Sequence, residues 1–321
     1  MVSQGIRSST KRTYSSVQNK YLSFCNSMGL PPVPASETLI LRFIAFISAT
    51  VSHQSVPVYL AAVKSLHVMA GFEDPPINSP RVQLMVRSMA QFAPPPSQAK
   101  PISFHMLASM GSFLSSTWDD NTQWVGMTLA FFACLRAGEF TVPSPNNYDP
   151  RSLVRVQDLK FVTTAQGIPA LVLVIKRTKT APQGVQLVIG CSFSPICAYC
   201  SMVAYCGLKN IVSTASNPQP LLSWVDGSPL DKPRFVARMK QLLAAAGYDP
   251  KGYSGHSWRS GSASQGISNG WAPLCVKTHG RWRSDAFHRY IRLSDDQLAQ
   301  FASGLVPSSR KSNPFHIYNN H

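Results

Sequence analysis

Acidic residues are scarce in this chain. Its 321 residues include 14 Asp and Glu against 30 Lys and Arg, a formal net charge of +16 and a pI of about 9.8. A balance so far from neutral points to a polyanionic partner. The basic excess is spread over both halves, which excludes a disordered basic tail as its source. Long apolar runs are also missing: none reaches the roughly 20 residues of a membrane-spanning helix. The first residues, MVSQGIRSSTKRTYSS, lack the apolar stretch of a secretory leader. Cysteine is infrequent and odd in number, seven, so the thiols read as reduced and the protein as soluble and intracellular. No internal repeat of solenoid period is present.

What the chain does have is helical periodicity, then a proline break, then a mixed region. Tyr14, Val17, Tyr21, Phe24 and Met28 recur at helical spacing over 10–29, closed by Gly29. Ser36 opens a second helix through Leu39, Phe43 and Ile47. Ser55 and Pro57 open a third, and Ser79 and Pro80 a fourth. These four make a small bundle over 1–92. The stretch APPPSQAKP, 93–101, cannot continue a helix and reads as a semi-rigid linker. Beyond it, over 102–321, two helices are expected near 103–117 and 121–135. Strands are expected in LVRVQDLKFV, PALVLVIKRTKT and GVQLVIG, and helices return near 196–207, 231–246 and in short pieces from 257. The fold class is mainly α, with a small antiparallel sheet in the second domain.

Four polar clusters punctuate that second domain. ACLRAGEF carries Arg136 and Glu139, and IKRTKTAPQG carries Lys176, Arg177 and Lys179 where a strand runs into a turn. YSGHSWRSG carries His256 and Arg259, and HGRWRSDAFHRY carries His279, Trp282 and Tyr290. Singly, each has an ordinary explanation: a helix-end ion pair, a solubilised strand edge, a structural histidine, a core tyrosine. Together and in order they resemble the tyrosine recombinase, or phage integrase, family. LRAGEF, KRTKT, YSGHSWRSGSAS and GRWRSDAFHRYIR look most like its eukaryotic DIRS and Crypton mobile-element branch. TKRTYSSVQNKYLSFCNSMGL, VPVYLAAVKSLHVMAGF and the proline linker look like that family's N-terminal core-binding domain, so the resemblance covers nearly the whole chain.

The resemblance implies two domains closing as a C-shaped clamp on double-stranded DNA, and strand cleavage and rejoining through a 3′-phosphotyrosine, for integration or excision of a mobile element. Arg136 and Arg259 would clamp the non-bridging oxygens of the scissile phosphate. Tyr290 would be the nucleophile, Lys179 the general acid with Lys176 as alternate, and His256 a general base or phosphate holder. Trp282 would donate its indole N–H; many members carry histidine there, and a tryptophan cannot relay protons. Glu139 would orient Arg136 or His256, with His279 an alternate site residue. Lys11, Arg12, Lys64, Arg87, Lys100, Arg177, Arg281 and Arg283 are expected to contact DNA. No cofactor, metal or small-molecule substrate is implied. Self-association through the apolar stripe Leu298, Phe301 and Leu305 is expected, as is nuclear residence, or cytoplasmic in a prokaryote. A catalytically silent DNA-binding derivative and a type IB topoisomerase are the competing readings.

CSFSPICAYCSMVAYC brings Cys191, Cys197, Cys200 and Cys206 close in sequence. Most of it reads as an apolar helix, and outer spacings of five residues are unusual for structural zinc, so ordinary buried thiols are expected.

Overall fold

The computed structural model describes residues 8–93, 99–176, 183–211, 215–284, 287–288 and 291. The chain divides into two compact units, 1–96 and 97–321.

The first unit contains helices α1 (Ser8–Ser27), α2 (Glu37–Ser48), α3 (Val56–Met69) and α4 (Pro80–Gln91). Its core gathers Tyr21, Phe24, Ile40, Phe43, Ile44, Ile47, Val63 and Val82. Ser36 and Ser79 accept hydrogen bonds from the backbone N–H of Leu39 and Val82, capping α2 and α4 as read from sequence. Ser55 makes no such bond; Ser52 instead caps the short 3-10 turn that leads into α3. The His67 imidazole lies wholly inside. His67 Nδ1 donates to the Val63 carbonyl (2.8 Å) while its Nε2 accepts from Ala35 N–H (2.9 Å), which satisfies both ring nitrogens of a neutral imidazole.

The second unit opens with α5 (Phe104–Gly111) and α6 (Trp118–Phe132), both shifted from the expected bounds. Thr117 caps α6, and the Asp120 carboxylate accepts from Ser115 N–H (3.0 Å) and its hydroxyl (2.7 Å), which pins the intervening turn. At the other end Cys134 adopts a left-handed conformation, φ 50°, which stops α6 before Arg136. Strands β1 (Leu159–Thr163), β2 (Pro169–Ile175) and β3 (Val185–Gly190) form one antiparallel sheet in the order β1-β2-β3. Leu159 pairs with Leu173, and Leu173 with Leu187. The stretch 153–158 is not strand, because Asp158 turns back to accept from Arg155 N–H (2.9 Å) and closes a 3-10 turn. Helices α8 (Ala198–Leu208), α9 (Lys232–Ala245), α10 (Ser257–Ser268) and α11 (Pro273–His279) follow, with one-turn α7 (Ala137–Phe140) between α6 and the sheet. The buried face of the sheet, α6 and α9 share one core with Trp258. The mainly helical class with a small antiparallel sheet is therefore as the sequence implies.

Candidate active site

Three segments far apart in sequence converge at the end of α6. The first is 134–139. Ending α6 at Cys134 swings Arg136 out as the N-cap of α7. Glu139 closes the turn onto Arg136: its carboxylate accepts from Arg136 N–H (3.0 Å) and from Arg136 Nη1 (2.9 Å). Arg136 keeps a fifth of its side chain exposed, while Glu139 is buried.

The second segment carries His256 and Arg259. Ala137 N–H donates to the Gly255 carbonyl (3.1 Å), and a Cβ on Gly255 would stand 2.7 Å from that of Ala137. Only glycine lets the two segments touch there. His256 stands at the N-cap position of α10 without a side-chain capping bond and reaches solvent. Even so, the enclosing protein holds its imidazole below the ordinary histidine value, burial first, then the fields of Arg136, Lys232 and Arg259, against Glu139. Packing places Arg259 inside: Trp258 is buried beside it, and Gly261 packs so tightly that a Cβ would meet the Ile102 carbonyl oxygen at 1.8 Å. Arg259 is 1% exposed. Its Nη1 donates to the Cys134 carbonyl (2.9 Å) and its Nη2 to that of Gly280. Burial lowers its pKa to about 10, which leaves it a cation at neutral pH.

The third segment is 279–284. Trp282 lays its ring over the Arg259 guanidinium, 4.0 Å from its carbon to the ring centroid. Its Nε1 is closed off from solvent, so in this arrangement the indole is a lid on Arg259 rather than a donor at the surface. Gly280 must be glycine, since a Cβ would fall 1.5 Å from the Trp282 ring. His279 Nε2 donates to the Phe132 carbonyl (2.8 Å), a scaffold role at the end of α6. Burial, then Arg281 and Arg259, lower its pKa as well.

Arg281, read from sequence as a DNA contact, donates within the protein to the carbonyls of Ala133 (3.0 Å), Cys134 (3.3 Å) and His279 (3.2 Å), and to Glu139 Oε2 (3.1 Å). Its guanidinium ties the first and third segments together. Glu139 thus serves two arginines, and cations outnumber carboxylates around His256: Arg136, Lys232 and Arg259 against Glu139. Such an excess of fixed positive charge attracts anions. Lys232, at the start of α9, was not singled out in the sequence; only the fold brings it to His256.

Lys176 lies at the end of β2 and pairs with Asp158 (2.5 Å), a buried carboxylate. Gly184, at φ +88°, closes the hairpin where a Cβ would meet the Lys176 carbonyl at 2.8 Å. Lys179, Arg177 and Tyr290 lie outside the described residues, as does the stripe Leu298, Phe301 and Leu305. Lys11, Arg12, Arg87 and Arg283 are exposed. Lys64 pairs with Asp74 (2.5 Å), and Lys100 lies 4.0 Å from Asp249 and over the Tyr253 ring, so these two are partly engaged within their own units.

No family model matches the chain, and no curated protein does. Solved structures resemble it along most of its length. The integrase of transposon Tn1549, in complex with circular intermediate DNA, superimposes with a TM-score of 0.59 at 12% identity, over 94% of this chain and 95% of that one. The XerH site-specific recombinase bound to its difH substrate gives 0.56 at 12%, over 89% and 76%. A lambda integrase dimer bound to a COC′ core site gives 0.55 at 16%, over 91% of each chain. The chain has the fold of the tyrosine recombinases and integrases.

Proposed function

We propose that this protein cleaves and rejoins double-stranded DNA at specific sites through a tyrosine–phosphate intermediate, in the integration or excision of a mobile element in the nucleus. The observation that carries the reading is the convergence of Arg136, His256, Arg259 and Trp282, drawn from three separate segments into one electropositive site. The fold it shares with DNA-bound integrases and recombinases supports the same reading.

In this reading a scissile phosphate enters beside Arg136 and His256, the two groups that reach solvent. Arg259 joins it when the Trp282 lid shifts. Tyr290 Oη attacks phosphorus, its proton passing to His256, whose lowered pKa keeps the imidazole neutral and able to accept. The bond from phosphorus to the 5′ oxygen breaks, and Lys179 protonates that oxygen. Charge gathering on the non-bridging oxygens is met by the two arginines, a stabilisation larger in the transition state than in the ground state. The linkage retains the bond energy, so the reverse attack by a 5′-hydroxyl reseals the strand.

Lys176 is held by Asp158, which favours Lys179 as the acid. Both units contribute basic residues to the duplex, and the C-terminal stripe joins protomers on it. The test is a nicked duplex whose cleaved end diffuses away. The expected product is a covalent protein–DNA complex whose junction maps to Tyr290; its absence, with the duplex bound, overturns the reading.

A further inference from the structure

Three cysteines outside that site meet where β3 runs into α8. Cys191 follows Gly190, the last residue of β3; Cys197 is the N-cap of α8, and Cys200 lies in its first turn. Their Sγ atoms all lie within 4.8 Å of one another, and Cys191 Sγ stands 3.7 Å from both of the others. A disulfide holds its sulfurs at about 2.05 Å, so these are three separate thiols. A tetrahedral ion with Zn–S bonds of about 2.3 Å sets its sulfurs about 3.8 Å apart. Two edges of that tetrahedron are already present.

The backbone around Cys197 supplies a second observation. The N–H groups of Ser192 and Cys200 both donate to its Sγ, at 3.3 and 3.5 Å, at the positive end of α8. These donors favour the thiolate form, and thiolates gathered this closely repel one another unless a cation holds them.

The intervening five residues, whose number argued against zinc in the sequence, form a compact arc. The hydroxyls of Ser192 and Ser194 both donate to the Ile196 carbonyl, at 3.1 and 2.7 Å, and Phe193 takes a left-handed φ of 51°. That arc returns the chain to Cys191. The expectation of ordinary buried thiols holds for Cys206, which packs into the main core; Cys200, by contrast, is exposed.

We propose that Cys191, Cys197 and Cys200 form a thiolate site for a zinc-class divalent ion, tying the end of β3 to the start of α8. Cys197 is buried and Cys200 exposed, so the fourth position opens towards solvent, where water or a further donor completes the tetrahedron. The ion fastens the base of the β2–β3 hairpin, whose opposite end carries Lys176. Because the three thiols meet only in the folded chain, metal binding adds to folding stability.

The full-length protein, purified under reductant, is expected to hold roughly one zinc per chain by elemental mass spectrometry. Cobalt(II) replacing it is expected to give thiolate-to-metal charge-transfer absorption that added zinc abolishes. Cys200→Ser and Cys191→Ser are expected to lose that absorption and the rise in Tm that zinc produces, whereas Cys206→Ser and Cys275→Ser retain both. Cys200 is exposed, so its variant decides the matter even where a change at buried Cys197 prevents folding. Metal-free reduced protein with no cobalt band, zinc content unchanged in Cys200→Ser, or a disulfide among the three that survives reductant would each overturn the site.

Discussion

The Arg259 guanidinium carbon lies 4.0 Å from the centroid of the Trp282 ring, with two backbone carbonyls accepting from the guanidinium. A cation stacked in this way gains up to about 2 kcal/mol where water is excluded. Trp282→Phe keeps a ring over the guanidinium but has no N–H, whereas Trp282→Ala removes both and opens a cavity beside Phe287. The alanine variant is expected to lose about 3–5 kcal/mol in urea unfolding of the second unit. The phenylalanine variant is expected to lose much less. If it nonetheless loses cleavage as fully as alanine does, the indole N–H acts in the reaction and the ring is more than a lid.

Tyr290→Phe removes the proposed nucleophilic oxygen and keeps the ring. DNA binding is expected to persist and covalent complex to vanish on a nicked substrate. Arg136→Ala and Arg259→Ala are each expected to slow its formation by about 10²–10³. Covalent complex surviving in Tyr290→Phe would refute the nucleophile assignment.

The two hairpin lysines are separable by their leaving-group chemistry. A sulfur at the 5′ bridging position leaves without a proton, so it is expected to restore cleavage to Lys179→Ala and not to the arginine variants. Lys176→Ala strips the partner from buried Asp158, so its expected defect is a less stable hairpin that sulfur does not rescue. Rescue of Lys176→Ala instead would exchange the two roles.

The lowered pKa of His256 sets the sign of a pH response. Burial and the neighbouring cations keep the imidazole neutral at neutral pH. Acidification should slow covalent-complex formation only below the ordinary histidine value of about 6.5. His256→Gln should flatten that acidic limb, and an unchanged limb would exclude His256 as the base. Stability shifts with the same sign. The unfolded chain protonates first at His256 and His279, so the second unit loses stability as pH falls through about 6.5 towards the folded values. Above that window neither histidine contributes.

Glu139 is the carboxylate on which Arg136 and Arg281 both close. Glu139→Gln leaves two guanidinia without their counter-charge in a buried place. A loss of about 3–5 kcal/mol in denaturant unfolding is expected, with cleavage falling alongside it. A variant as stable as the parent would mean that the pair is dispensable to the scaffold.

Much of this molecule is set by local chemistry, and that part was legible in the sequence. Ser36 and Ser79 cap their helices because a serine hydroxyl reaches a backbone N–H three residues on, whatever lies elsewhere. β-Branched runs bounded by Gly and Pro marked β2 and β3, and the order of Arg136, His256, Arg259 and Trp282 carried the resemblance to a fold that the structure bears. Tertiary structure decided what depends on residues distant in sequence. Cys134 ends α6 by a backbone conformation that helical periodicity does not encode. Arg281 turned inward because the carbonyls of Ala133 and Cys134, and Glu139, lie more than a hundred residues before it. Lys232 acquired a role beside His256, and Cys200 was gathered to Cys191 across a loop whose closure no spacing rule foretold. The physical reason is one of range: propensity, capping and amphipathic period act within a few residues, whereas the direction of a long charged side chain is settled by whichever acceptors the fold brings within hydrogen-bonding distance.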